Sequence, residues 1–248
     1  MTSSRKVRID AFPDSAFRYL HRWTIVCVDV ITSGTTAVTA VAQGRRTFAA
    51  GDVAEAFRLA HVAEGTLGEG SMRFDVAQSP AALARRSDRR PLVLVDPPGT
   101  RLLANCRGGR DVYVACLRNV TATVELLAGR GHDVVLLGAG EGADFRCEDK
   151  MATARLGASL VARGFVPDGH ETADTIKRWG ATDTALLGWG RSAEHLRRSG
   201  HADDLEFVLG HVDDLDLACR YVDGEIAPAR PGPAAVRGPL PLEGEAAI

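Results

Sequence analysis

The sequence predicts an α/β fold: a mainly parallel sheet with helices on both faces, in three layers. Two observations carry this. Short apolar runs rich in β-branched residues recur between residues 24 and 138, each followed by a turn and a helical stretch. The clearest runs are apolar nearly throughout rather than alternating, as expected of strands covered on both faces.

The elements follow in order. Residues 1–22 are mixed and polar and read as a peripheral strand or arm. Thr24 to Val30 is a buried strand, and the hydroxyl-rich turn 32–36 leads into a helix from Ala37 to Gln43 closed by Gly44. Arg46 to Ala50 is a short strand, and Asp52 caps a helix running to about Ala63. A long loop spans residues 64–80. Pro91 to Val95 is a strand, followed by the turn 96–101 and a short helix. Asp111 to Cys116 is a strand and Val120 to Ala128 a helix. Asp133 to Gly138 is a strand, then a Gly-rich loop, then a helix from about Glu148 to Arg163. Glu171 to Leu187 and Ser192 to Arg198 read as amphipathic helices, Asp203 to Leu209 as a further turn or two, and Leu217 to Val222 as a late strand. Residues 1–226 form one domain or two intimately packed halves. Residues 227–248, with five prolines and little apolar patterning, read as a disordered tail.

Composition narrows the function classes. The 248 residues are 45% apolar and 25% charged, with a net charge of −2. That balance argues against a whole-surface nucleic-acid binder. No run of 18 apolar residues exists, so no membrane span is expected. The N-terminus lacks the apolar core of a signal peptide, which makes the cytoplasm the expected compartment. The five cysteines (Cys27, Cys106, Cys116, Cys147 and Cys219) are scattered and never in a CxxC pair, which argues against a disulfide framework or a zinc knuckle. The seven histidines do not cluster, and neither HExxH nor GxSxG occurs.

In parallel sheets active sites gather at the carboxyl ends of the strands. Asp29 stands at such an end, and a carboxylate there needs a metal, a base or backbone donors. The alternative is an aspartate that caps a nearby turn. The turn Thr32-Ser33-Gly-Thr35-Thr36 opens a helix, whose free N–H groups and dipole suit a phosphate; Thr35 or Thr36 can equally be a plain cap. Gly138-Ala-Gly140-Glu141-Gly fits neither the dinucleotide fingerprint nor a Walker A loop. It precedes Glu148 and Asp149, which either compensate the helix dipole or, with Asp29, hold a hard cation such as Mg²⁺. Glu69 lies in the long loop, Gly99 and Thr100 form a strand-end turn, and Asn119 is either a helix N-cap or a pocket residue.

These pieces, in order, resemble the 2-phosphosulfolactate phosphatase family. Asp29-Val-Ile-Thr-Ser-Gly-Thr-Thr36 is similar to its D-V-L-R-A-[ST]-T-T segment. Gly68-Glu69, Phe74-Asp75 and Gln78-Ser79-Pro80 are similar to its G-E and G-F-D-x-x-N-S-P stretch. Gly99-Thr100 resembles its N-G-T turn, Asn119 its short L-R-N-A motif, and 138–142 with Glu148-Asp149 its C-A-G-x-x-G and E-D segments. The order and spacing run from about residue 24 to 226. The resemblance implies a Mg²⁺-dependent α/β phosphatase acting on 2-phosphosulfolactate, in coenzyme M synthesis, or on another 2-hydroxy acid phosphate. It implies Asp29, Glu148 and Asp149 as metal or catalytic carboxylates. Thr32, Ser33, Thr35, Thr36, Glu69, Gln78, Ser79, Gly99, Thr100, Asn119, Gly140 and Glu141 would surround the substrate.

There are departures. The family's arginine is Thr32 here, its Asn before Ser-Pro is Gln78, its Asn-Gly-Thr is Pro98-Gly-Thr, and Met151-Ala-Thr replaces Cys-Ala-Gly. Threonine cannot replace the planar, bidentate clamp that arginine offers an anion. Arg73, Arg101, Arg118 and Arg146 lie on candidate loops and are the cations that could restore the contact. The alternatives are a non-catalytic descendant that binds a small anion or a partner, and a lyase on the same scaffold. A homodimer is the expected assembly, since closed two-fold dimers are the commonest oligomers.

Overall fold

The computed structural model describes residues 4–64, 79–95, 97–140 and 145–229. Its centre is β2 (Thr24–Val28), whose five residues are all buried. It lies between β5 (Asp111–Ala115) and β6 (Val134–Gly138) and is parallel to both. β1 (Lys6–Asp10) runs parallel to β6 on its far side, and the two-residue strand β7 (Val166–Pro167) closes that edge. Of the peripheral strand or arm expected at the N-terminus, the strand is what forms, one place in from the edge. At the other end β3 (Thr47–Ala49) and β4 (Leu92–Leu94) are parallel to each other. Between the two groups sits an antiparallel hairpin, β8 (Cys219–Val222) and β9 (Glu225–Pro228). The full order is β4-β3-β9-β8-β5-β2-β6-β1-β7, a nine-stranded, mostly parallel sheet.

Side chains of the central strands alternate between two cores. Ile25, Cys27, Val112, Val114, Val135 and Leu137 enter one, with α1 (Ser33–Ala42) and α4 (Pro97–Asn105). Val26, Val28, Tyr113, Ala115, Val134 and Leu136 enter the other, with α5 (Val120–Ala128) and α6 (Cys147–Val161). This is the three-layer α/β/α arrangement. It places the N-termini of α1 and α6 on opposite faces of the same strand ends.

Several bounds differ from the sequence reading for local reasons. α1 begins at Ser33, inside the hydroxyl turn rather than after it. α2 (Val53–Glu64) starts where expected, with Asp52 Oδ1 accepting the Glu55 N–H at 2.7 Å. α3 (Pro80–Ala84) is a short helix after the long loop, capped by Ser79. The stretch read as one helix from Glu171 to Leu187 divides into α7 (His170–Trp179) and a 3₁₀ helix, Thr184–Trp189. Asp183 starts the second piece by accepting the Ala185 N–H at 2.9 Å. α8 (Arg191–Arg198) and α9 (Ala202–Gly210) follow. β9 runs to Pro228, so the tail expected from residue 227 begins inside a strand pair; residues 230–248 lie outside the described residues. All five cysteines are free thiols and only Cys147 is not buried. Among the described residues no helix is long and apolar enough to cross a membrane.

The β8–β9 turn is Asp223-Gly224, with φ of 49° and 91°. Positive φ at both central residues matches the right-handed twist of a two-residue hairpin, and Asp-Gly is its usual sequence. Because this hairpin joins β3 to β5 across the sheet, the turn carries more than a surface loop. Gly224→Ala is expected to destabilise the protein by about 1 kcal/mol or more in a urea melt, since Ala at positive φ is strained; an unchanged midpoint would show that the hairpin does not depend on this turn.

Candidate active site

Asp29 follows the last residue of β2 and is 9% exposed. Its backbone N–H donates to Ala115 O at 3.3 Å, which continues the parallel ladder to β5. The chain then enters α1 within four residues, through a cis Ile31–Thr32 peptide. The hydroxyls of this turn are used in two ways. Thr35 Oγ1 donates to Val30 O at 2.7 Å and Thr36 Oγ1 to Thr32 O at 2.9 Å, so both serve the backbone. Ser33 Oγ donates to Asp29 Oδ2 at 2.6 Å.

α6 arrives from the other face. Glu148 and Asp149 are in its first turn, 4% and 3% exposed. Asp149 Oδ1 accepts the Val30 N–H at 2.9 Å, which ties α6 to the end of β2. Burial, then the charges of Asp29 and Glu148, push the Asp149 carboxyl well above its ordinary range; the Val30 N–H and the charge of Arg146 act the other way. The three carboxylates therefore form one electrostatic group. Burial also pushes the Cys116 thiol up to about 11, which leaves it neutral beside Asp29.

A small pocket opens next to Asp29. Asp29, Ser33, Gly99 and Thr100 line it together with apolar residues that include Cys27, Leu102 and Val114. The second wall of the carboxylate group comes from the 3₁₀ helix and α8, where a Cβ on Gly190 would lie 3.9 Å from Glu148 Oε2. Arg146 donates to Ser192 Oγ at 3.1 Å and joins that wall to α6. The apolar floor and the Gly190–Ser192 wall were not legible beforehand, because neither carries a motif.

Other candidates have scaffolding partners. Asn119 is fully buried, accepts the Cys116 N–H at 3.0 Å and donates to Val114 O and Leu217 O. Ser79 accepts the Ala82 N–H at 3.0 Å as a helix cap and donates to Asp204 Oδ1 at 2.6 Å. Gly140 N donates to Ala11 O at 3.1 Å. Thr32 O accepts the Thr36 N–H at 2.9 Å in the first turn of α1. Glu69, Gln78 and Glu141, with Arg73, lie outside the described residues. Two arginines on the candidate loops are paired elsewhere: Arg118 with Asp214 at 2.9 and 2.6 Å and with Thr39, and Arg101 with Asp14 at 2.9 Å.

Among the described residues no group of three or more His, Cys, Asp or Glu side chains is arranged to hold a metal ion. Mg²⁺ does not require one. It takes one or two carboxylates and completes its shell with water and substrate phosphate. Asp29 and Asp149, with Glu148 beside them, offer the hard oxygen donors that such a site uses, and a cation there would relieve their mutual repulsion. Their oxygens are of the donor type that Mg²⁺ takes in a site completed by water and substrate phosphate.

Neutralising Asp149 tests the repulsion directly. A carboxyl whose folded pKa is raised holds its proton more tightly folded than unfolded. Its contribution to stability is full below the unfolded value of about 3.9 and is lost as pH rises through the raised folded value. Asparagine keeps an oxygen for the Val30 N–H but cannot ionise. Asp149→Asn is expected to melt above wild type at mildly alkaline pH in EDTA, by roughly 2–4 °C per kcal/mol relieved, and to converge with it in acid. A variant that melts lower at alkaline pH would contradict a repulsive carboxylate group.

Comparison with known proteins bears on what this site is for. No curated protein matches the chain. A family model described as 2-phosphosulpholactate phosphatase matches residues 12–223, from just before the 3₁₀ helix Pro13–Arg18 to the hairpin turn, and so takes in Asp29, the α1 turn, α4 and the Glu148-Asp149 pair. The chain belongs to the 2-phosphosulpholactate phosphatase family, a family of phosphoric monoester hydrolases.

Proposed function

We propose that this protein hydrolyses a small anionic phosphate monoester, such as 2-phosphosulpholactate or another 2-hydroxy acid phosphate, with Mg²⁺ as its metal. The observation that carries the reading is the buried group Asp29, Glu148 and Asp149 beside the N-terminus of α1, where layers from both sides of the sheet meet. Asp29 and Asp149 would hold the ion, with Glu148 as a nearby negative charge. Bound there, Mg²⁺ supplies positive charge against the phosphoryl oxygens. The remaining work falls to the chain. First-turn N–H groups of α1 face a phosphate with the positive end of the helix dipole. A carboxylate of the group takes a proton from the water that attacks phosphorus, or itself attacks phosphorus to give an acyl phosphate that water then hydrolyses; in either route the ester P–O bond breaks and the leaving alkoxide takes up a proton from a protonated carboxyl or from solvent.

A retuned substrate is the second reading, and one observation favours it. Thr32 stands where the family has arginine, and Arg101 and Arg118 are paired elsewhere. The second anionic group of a sulfonated substrate therefore loses the family's arginine, and Arg118 is held in a largely buried pair with Asp214.

The test is phosphate release from a panel of phosphomonoesters, sulfonated, carboxylated and neutral, with Mg²⁺ and with EDTA. Wild type is expected to release phosphate only with Mg²⁺, and Asp29→Asn to lose on the order of 10²-fold or more of the rate. A preference for the neutral members would select the retuned reading. Release that persists in EDTA would overturn the Mg²⁺ reading, and a fully active Asp29→Asn would overturn the assignment of the site.

A further inference from the structure

We propose that Ser33 is a positioning residue for Asp29, and that residue 99 must be glycine for this pair to form. The inference rests on the phosphatase reading above and names how its central carboxylate is held.

Ser33 is the first residue of α1, four residues beyond Asp29, and its hydroxyl turns back to Asp29 Oδ2 at 2.6 Å. The neighbouring hydroxyls of Thr35, Thr36 and Thr39 donate to backbone carbonyls, as helix-start and helix-interior hydroxyls commonly do. Ser33 instead spends its proton on the buried carboxylate, and both groups line the pocket. A hydroxyl held on one carboxylate oxygen stops the group from turning about its Cβ–Cγ bond, so the direction of the other oxygen becomes a property of the fold.

α4 closes the arrangement from above. A Cβ placed on Gly99 would lie 2.2 Å from Ser33 Oγ and 2.3 Å from Asp29 Oδ2, closer than real Cβ atoms come to anything. Any side chain at 99 must displace one member of the pair. Asp29 is thus held by two elements, its N–H on β5 and Ser33 from α1, while α4 passes so close that only a glycine at 99 leaves room for the pair. Partners behind a metal-binding or catalytic group typically carry 10–100-fold of metal affinity or activity.

The test compares wild type, Ser33→Ala, Ser33→Thr and Gly99→Ala. Mg²⁺ affinity is read by calorimetry without substrate. kcat and KM are read with the phosphomonoester that wild type uses best, and folding is checked by thermal melts. Ser33→Ala is expected to lose ~10-fold or more in both Mg²⁺ affinity and kcat, with a smaller change in KM. Ser33→Thr, which keeps the hydroxyl, is expected to restore most of the loss. Gly99→Ala is expected to lose at least as much as Ser33→Ala. A Ser33→Ala variant with wild-type affinity and kcat overturns the proposal, and so does a loss confined to KM, which would make Ser33 a substrate contact. Phosphate found on Ser33 by mass spectrometry of quenched turnover also overturns it, in favour of a phosphoryl acceptor. A wild-type chain that neither binds Mg²⁺ nor releases phosphate overturns the phosphatase reading and the positioning role with it; that outcome is distinct because wild type itself fails.

Discussion

A carboxylate at the end of a fully buried strand is the constraint around which this structure is arranged. Unpartnered, Asp29 would cost several kcal/mol. The fold answers from each direction available. The β5 ladder holds its backbone, α1 begins at once and returns the Ser33 hydroxyl, and the glycine at the start of α4 lets backbone close over the pair. α6 reaches the same strand end from the opposite face and anchors through Asp149 on the Val30 N–H. Only a strand covered on both sides can have helices of two layers meet at its carboxyl end, which is why parallel sheets put their chemistry there.

Bringing Asp149 and Glu148 to Asp29 creates repulsion that packing alone does not cancel. The apolar cores on both sides of the sheet supply the stability that lets the group persist, and that is a common relation between a scaffold and its site. One arginine that looks available in the sequence, Arg118, is absorbed by the scaffold. Arg118 is a buried strut between Asp214, Thr39 and the ring of Phe207. Family membership and the carboxylate group thus point to phosphoryl chemistry, while Thr32 and the paired arginines bear on what the rest of the substrate looks like.

The hairpin of β8 and β9 shows how far element identity can be read and where placement escapes. Leu217 to Val222 is legible as a strand from its composition. Its partner is harder to read although Asp223-Gly224 carries the usual hairpin signal, because the strand is short and runs into a proline-rich stretch. Nothing local says that the pair inserts in the middle of the sheet rather than adding to an edge. That choice depends on β3 and β5 both having free sides, which are set by residues more than a hundred positions away.

The sequence by itself determined the α/β class and the order of most elements, and it marked Asp29 as a candidate, because a charge in an otherwise apolar run is costly wherever the chain folds. It also marked Glu148 and Asp149 as acidic residues at a helix start. Only the tertiary structure decided which candidates share a site. Asn119 and Ser79 have scaffolding partners, Ser33 turns to the carboxylate while Thr35 and Thr36 turn to the backbone, and Gly99 lies against Asp29 across 70 residues of chain. The reason is one of range: hydrophobic pattern and capping act over a few residues and can be read locally. Hydrogen-bond partners such as Val30 and Asp149, 119 positions apart, are chosen only when the sheet order brings two strand ends together.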